Sequence, residues 1–160
     1  MRNLVLVGLI SILFSCNSTA QKPETKEKET FKVNKTDAEW KKELSDQEYY
    51  VMRQEGTERP FSSPLNKEYS KGTFHCAACD TPLFKSEHKF DSGTGWPSFD
   101  RAIKGNVAYS TDNHLGYTRT EEHCATCGGH LGHVFNDGPR DTTGKRHCIN
   151  GVALKFVPEK

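Results

Sequence analysis

Six cysteines stand in this chain of 160 residues, and their spacing separates them by chemistry. Four form two Cys-x-x-Cys pairs, Cys76/Cys79 and Cys124/Cys127, and Cys16 ends an apolar run far upstream. Cys148 is left alone, in Arg146-His147-Cys148-Ile149-Asn150. On a strand, Arg146 and Asn150 would face the same way as this cysteine. Nearby cations favour a thiolate, so its pKa is expected below the ~8.5 of a free thiol. The competing reading is a small buried strand residue. The polar neighbours, and the lack of any partner for the sulfur, favour a nucleophile.

A Cys-x-x-Cys turn sets two sulfurs on one knuckle, and two knuckles complete a tetrahedral site. Four sulfurs leave zinc no open position, so one structural Zn2+ held by Cys76, Cys79, Cys124 and Cys127 is the favoured reading. The pairs lie 44 residues apart, farther than in a zinc ribbon, so the fold must bring them together. Gly128, Gly129 and Pro82 suit tight knuckle turns. A pair of redox-active disulfides competes wherever thiols oxidise, although the βαβ context of a thioredoxin-type motif is missing. His130 and His133 lie in Gly129-His130-Leu131-Gly132-His133-Val134-Phe135 and suit proton transfer near pH 7. One of the two is expected to be a satisfied core histidine. Trp96, in a loop of small residues, would alone be an ordinary core aromatic.

Short elements must position these groups. Thr36-Asp37-Ala38-Glu39 and Ser45-Asp46-Gln47-Glu48 fit capping boxes and predict two short helices. Gly56 to Pro64 is loop-like. From residue 72 the chain turns to short β-prone stretches, Thr73–Cys76, Val107–Tyr109 and Leu115–Thr118, punctuated by glycines and Asp-Asn. Val152, Leu154 and Phe156 alternate as on a half-buried strand. The fold class is therefore mainly β and antiparallel, with two helices packed at its front. A core this small would gain from a metal staple.

The N-terminus reads as a processing signal. Arg2 is the one charge before residue 16, and Leu4 to Phe14 is apolar or small, long enough for a signal peptide and too short to span a bilayer. Leu13-Phe14-Ser15-Cys16 resembles a bacterial lipobox, with Phe14 departing from the usual residue. The expectation is a lipoprotein signal peptide over 1–15, a flexible tether over 16–35 and a folded domain over 36–160. Cys16 would then carry a lipid that anchors the chain at the bacterial cell envelope. Cleavage there leaves 21 basic against 21 acidic residues. A neutral chain without a basic stripe has little electrostatic reason to bind nucleic acid.

From about Thr36 to Phe156 the chain resembles the B-type methionine sulfoxide reductase family. The resemblance is carried by Cys76-x-x-Cys79, Ser92-Gly93-Thr94-Gly95-Trp96-Pro97-Ser98-Phe99, Cys124-x-x-Cys127, His130-Leu131-Gly132-His133-Val134-Phe135-x-Asp137-Gly138-Pro139 and Arg146-x-Cys148-x-Asn150. Five motifs in order are highly specific. The resemblance implies two antiparallel sheets (a β-tent of the Mss4-like kind), zinc remote from the active site, and reduction of the R epimer of methionine sulfoxide in proteins. It makes Cys148 the nucleophile, His133 a proton donor, and Asn150 and Trp96 substrate-positioning residues. His130, Asp137 and Arg146 would belong to the surrounding polar network. Many family members carry a resolving cysteine where this chain has Thr94. A one-cysteine cycle is therefore expected, recycled by an external thiol such as a thioredoxin-like protein, in a chain acting as a monomer.

Overall fold

The computed structural model describes residues 30–160. The expected signal peptide, Cys16 and most of the expected tether lie outside them. Two helices open the fold, α1 (Asp37–Glu43) and α2 (Asp46–Gln54), each begun by a complete capping box, Thr36 with Glu39 and Ser45 with Glu48. The cap hydroxyl takes the third amide and the glutamate returns to the cap amide, so two otherwise unpaired donors are satisfied at each start. Strands follow: β1 (Gly72–Cys76), β2 (Pro82–Lys85), β3 (Lys89–Phe90), β4 (Ser98–Phe99), β5 (Val107–Asp112), β6 (Arg119–Cys124), β7 (His130–Phe135), β8 (Arg146–Ile149) and β9 (Leu154–Pro158). They form a three-stranded sheet, β2-β1-β9, and a six-stranded sheet, β3-β4-β8-β7-β6-β5, with every pairing antiparallel. Leu115–Thr118 is not a strand. It is the turn joining β5 to β6, where Gly116 adopts φ +78°.

Aromatic rings join the sheets. Phe74 of β1 meets Phe99 of β4 edge-on at 5.0 Å, and Phe84 of β2 stacks on Phe99 at 4.4 Å. All three are fully buried. Each ring pair contributes roughly 0.5–1.5 kcal/mol beyond its area. From α2, Met52 packs close to Gly129, and the Arg53 guanidinium donates to the Cys127 carbonyl at 3.1 Å. The first residues described pack too. Val33 donates its N–H to the Thr126 carbonyl at 2.9 Å, and Phe31 lies over Gly128. Packing thus begins at Phe31, a few residues before Thr36. Among the described residues no helix is long and apolar enough to cross a membrane.

Candidate active site and metal centre

The two Cys-x-x-Cys turns are built alike. In the first, the Cys76 N–H donates to the Thr81 carbonyl and the Asp80 N–H to the Cys76 carbonyl. In the second, the Cys124 N–H donates to the Gly129 carbonyl and the Gly128 N–H to the Cys124 carbonyl. The fourth residue after each leading cysteine takes positive φ, Asp80 at 60° and Gly128 at 68°, a conformation open to glycine and tolerated by aspartate. Cys76 ends β1 and Cys124 ends β6, so the knuckles belong to different sheets. The four sulfurs lie within 4.8 Å of one another, with Cys76–Cys127 at 3.7 Å and Cys79–Cys124 at 3.5 Å. All four are free thiols. A tetrahedron of sulfurs about 2.3 Å from zinc has edges of roughly 3.8 Å. The cluster could hold a metal ion of that kind. Sharing of S–H protons already splits the thiols: Cys79 falls below the usual thiol range, chiefly through Cys124, and Cys124 falls to about 6, chiefly through Cys127.

Cys148 lies on β8, directly opposite His133 of β7 and Ser98 of β4. Directly opposed residues share a face of the sheet, and the row continues through Glu121 of β6 to Ser110 of β5. One step along, Asp112 of β5 opposes Arg119 of β6. Strand pairing thus assembles a polar surface from five strands. Gly132 allows it: a Cβ there would stand 2.0 Å from the Cys148 carbonyl oxygen.

A cleft of about 130 Å³ opens on this surface, walled by Trp96, Cys148, His133, Phe135, Arg119, Asn150, Thr57 and Gly132. Its walls contain a single thiol. The Thr94 hydroxyl lies 3.9 Å from that sulfur and is itself hydrogen-bonded to Ser92, which reaches Ser98. Burial pushes the Cys148 thiol up, and the Arg146 charge opposes this without cancelling it. The expected lowering is therefore reversed. Arg146 spends its guanidinium on Asp137 through two bonds of 2.9 Å and stacks over Phe135 at 4.4 Å. Its charge is already paired.

His133 Nε2 lies 2.7 Å from the Asp112 carboxylate. That carboxylate is held far below the usual range by the His114 amide, and by His133 and Arg119, against its own desolvation. An ionised acceptor requires the hydrogen on Nε2, which leaves Nδ1 of neutral His133 a free base. Burial lowers the His133 pKa, and Asp112 partly restores it. A half-buried thiol beside an oriented imidazole and an aromatic wall can attack an electrophilic atom and pass on a proton.

His130 takes the core role expected of one histidine. It is buried, bonds Glu121 at 2.6 Å, and is not among the walls of the cleft. Its ring still sits 5.5 Å from that of His133, because the β6–β7 register shifts at Glu122/His123. Asn150 lines the cleft, but its amide is engaged. The oxygen accepts from the Glu58 N–H, and the nitrogen donates to the Leu131 carbonyl, each at 3.0 Å. Glu58 was missing from the sequence reading. Its backbone oxygen accepts the Trp96 indole N–H at 3.2 Å, and its carboxylate takes the Gly151 and Val152 amides. Asp112, Arg119 and Thr57 were missing too, since each joins the site only through strand pairing or a loop. On the other face, behind Cys148, His147 and fully buried Glu122 pair at 2.5 Å.

Comparison with known proteins agrees with this architecture. Residues 44–158 match the SelR domain. Over 128 residues the chain is 52% identical to the peptide methionine sulfoxide reductase MsrB of Agrobacterium fabrum, covering 79% of this chain and 94% of that one. The protein of the same name from Leptospira interrogans is 53% identical over 130 residues, 81% of this chain and 98% of that one. A mitochondrial methionine-R-sulfoxide reductase B2 of Rattus norvegicus is 50% identical over 137 residues, 81% and 78% respectively. The chain belongs to the SelR-domain family of B-type peptide methionine sulfoxide reductases, which are oxidoreductases.

Proposed function

We propose that this chain reduces the R epimer of methionine sulfoxide in proteins, with Cys148 as nucleophile. The observation that carries the proposal is the cleft itself: Cys148 and His133 face each other across β7 and β8, beside Trp96. A sulfoxide offers a polar S=O beside a methyl group. The indole face suits the methyl, and the imidazole suits the oxygen. The Cys148 thiol is protonated at rest, so its proton passes to His133 Nδ1 as the sulfur attacks. The imidazolium, steadied by Asp112, then protonates the sulfoxide oxygen. Oxygen moves from the methionine sulfur to the Cys148 sulfur. Methionine is reduced by two electrons, and Cys148 becomes a sulfenic acid. Asn150 and Glu58 hold Trp96 and the β8–β9 junction in place, so Asn150 positions the site through the backbone. Arg146 keeps a positive charge beside Cys148 and favours its ionisation.

Thr94 stands where an internal resolving thiol would be needed. Two external thiols, supplied by a thioredoxin-like protein or a small thiol, return Cys148 to the thiol and release water. In the sulfur cluster, Cys76, Cys79, Cys124 and Cys127 hold one zinc ion. It supplies structure, joining the two sheets at the ends of β1 and β6. The chain works as a monomer at the bacterial cell envelope, anchored through a lipid on Cys16. Fatty-acid labelling that persists in Cys16→Ala, or is absent from the wild type, would remove that anchor. The reductase reading is tested by assaying each sulfoxide epimer with wild type and Cys148→Ser. Turnover confined to the R epimer and lost in the variant, with zinc retained, is expected. Equal turnover by the variant overturns it.

A further inference from the structure

One turn beside the cleft breaks a local rule. Arg59-Pro60-Phe61-Ser62 closes through a hydrogen bond from the Ser62 N–H to the Arg59 carbonyl at 3.3 Å. Proline stands second, and Phe61 stands third with φ +61°. That third position, with positive φ, is the slot such turns give to glycine. A bulky side chain there is strained. Burial does not compensate, because Phe61 is 67% exposed, the most exposed large apolar residue among the described residues.

The turn is tied to the loop at Gly95. The Phe61 N–H donates to the Gly95 carbonyl at 2.7 Å. The ring lies against Gly95, where a Cβ would fall 2.9 Å from Phe61 Cδ2. Gly95 separates Thr94, whose hydroxyl touches the Cys148 sulfur, from Trp96, which walls the cleft. A strained, exposed aromatic therefore stands against the loop that carries Thr94 and Trp96, beside the site.

We propose that Phe61 is a specificity-determining residue that receives an apolar side chain next to the methionine sulfoxide of an unfolded polypeptide. This rests on the reductase reading above. A cleft of about 130 Å³ has room for one side chain, so the neighbours of a peptide-borne sulfoxide must lie on the rim. An uncharged ring there favours apolar neighbours. Folded proteins mostly bury such residues, so the partner is an extended segment with apolar flanks.

The test uses the R epimer at the centre of two pentapeptides, one flanked by leucines and one by serines, and as the free amino acid. Phe61→Gly places in the turn the residue its φ prefers, so folding is not at risk. Wild type is expected to favour the leucine peptide over the serine peptide. Phe61→Gly should cut that ratio of kcat/KM about tenfold, through KM, and Phe61→Tyr should restore it. The proposal is overturned if wild type shows no such preference or if the ratio is unchanged in Phe61→Gly. Proportional loss on all three substrates also overturns it, because the ring would then only support the loop. A wild type inactive on every sulfoxide would instead defeat the reductase reading.

Discussion

Sulfur is used in two opposite ways in this molecule. In the four-cysteine cluster, each sulfur sits on a tight turn and faces three others within 4.8 Å. In the cleft, one sulfur lies mid-strand with a hydroxyl 3.9 Å away and an imidazole across the pairing. The cluster can satisfy a soft cation and leaves no position open. The cleft leaves its sulfur uncommitted. The difference teaches that a thiol's surroundings decide its work. Clustered sulfur can hold a metal ion between two sheets, while uncommitted sulfur is available for chemistry.

Breaking the cluster should give the largest effect. Cys76→Ser removes one of four ligands, and metal binding in such sites is coupled to folding. With the zinc proposed for this cluster, Cys76→Ser should lose the metal and the Tm should fall by at least about 10 °C, read by elemental analysis and calorimetry. Cys148→Ser should leave both near wild type. If Cys76→Ser melts like wild type, the cluster is not the staple described here.

Within the cleft, His133→Asn should lower kcat/KM by about a hundredfold, the usual scale of a lost general acid. Asp112→Asn should act through His133 and more weakly. The sign follows from the site: burial lowers the His133 pKa, Asp112 raises it, and Arg119 lowers it. Asp112→Asn should therefore move the His133 titration to lower pH, and Arg119→Gln should move it higher, followed by NMR of the ring. Shifts in the same direction would contradict this arrangement.

The smallest effect concerns Arg146. Burial raises the Cys148 thiol pKa, and the Arg146 charge partly offsets it. In wild type the alkylation rate should rise with pH through a midpoint above that of a free thiol, ~8.5. Arg146→Met should move the midpoint higher still and lower the rate at neutral pH. A downward move would mean that the paired guanidinium does not reach the sulfur.

The two knuckles were legible because their geometry is local. Cys-x-x-Cys fixes each knuckle within six residues, and Gly128 announces its positive φ. Asp80, in the matching place, does not. Both helices were legible from their capping boxes for the same reason. The cleft was legible only where family motifs named its residues, because its geometry is cross-strand. Nothing local joins Asp112 to His133, 21 positions away, or Glu58 to the Gly151 amide, 93 away. Leu115–Thr118 misled because its apolar residues sit on an exposed turn, with Leu115 and Tyr117 facing solvent. The thiol pKa misled because neighbouring charge can be read along a chain and burial cannot.

The central claim is that a single sulfur, Cys148, carries the oxidation and no other cysteine resolves it. Mass spectrometry after one equivalent of the R epimer, without reductant and with a sulfenic-acid trap present, tests this most directly. One trapped sulfenic acid is expected, located at Cys148, with the four cluster cysteines unchanged. A disulfide involving Cys148, or oxidation confined to the cluster, would contradict it.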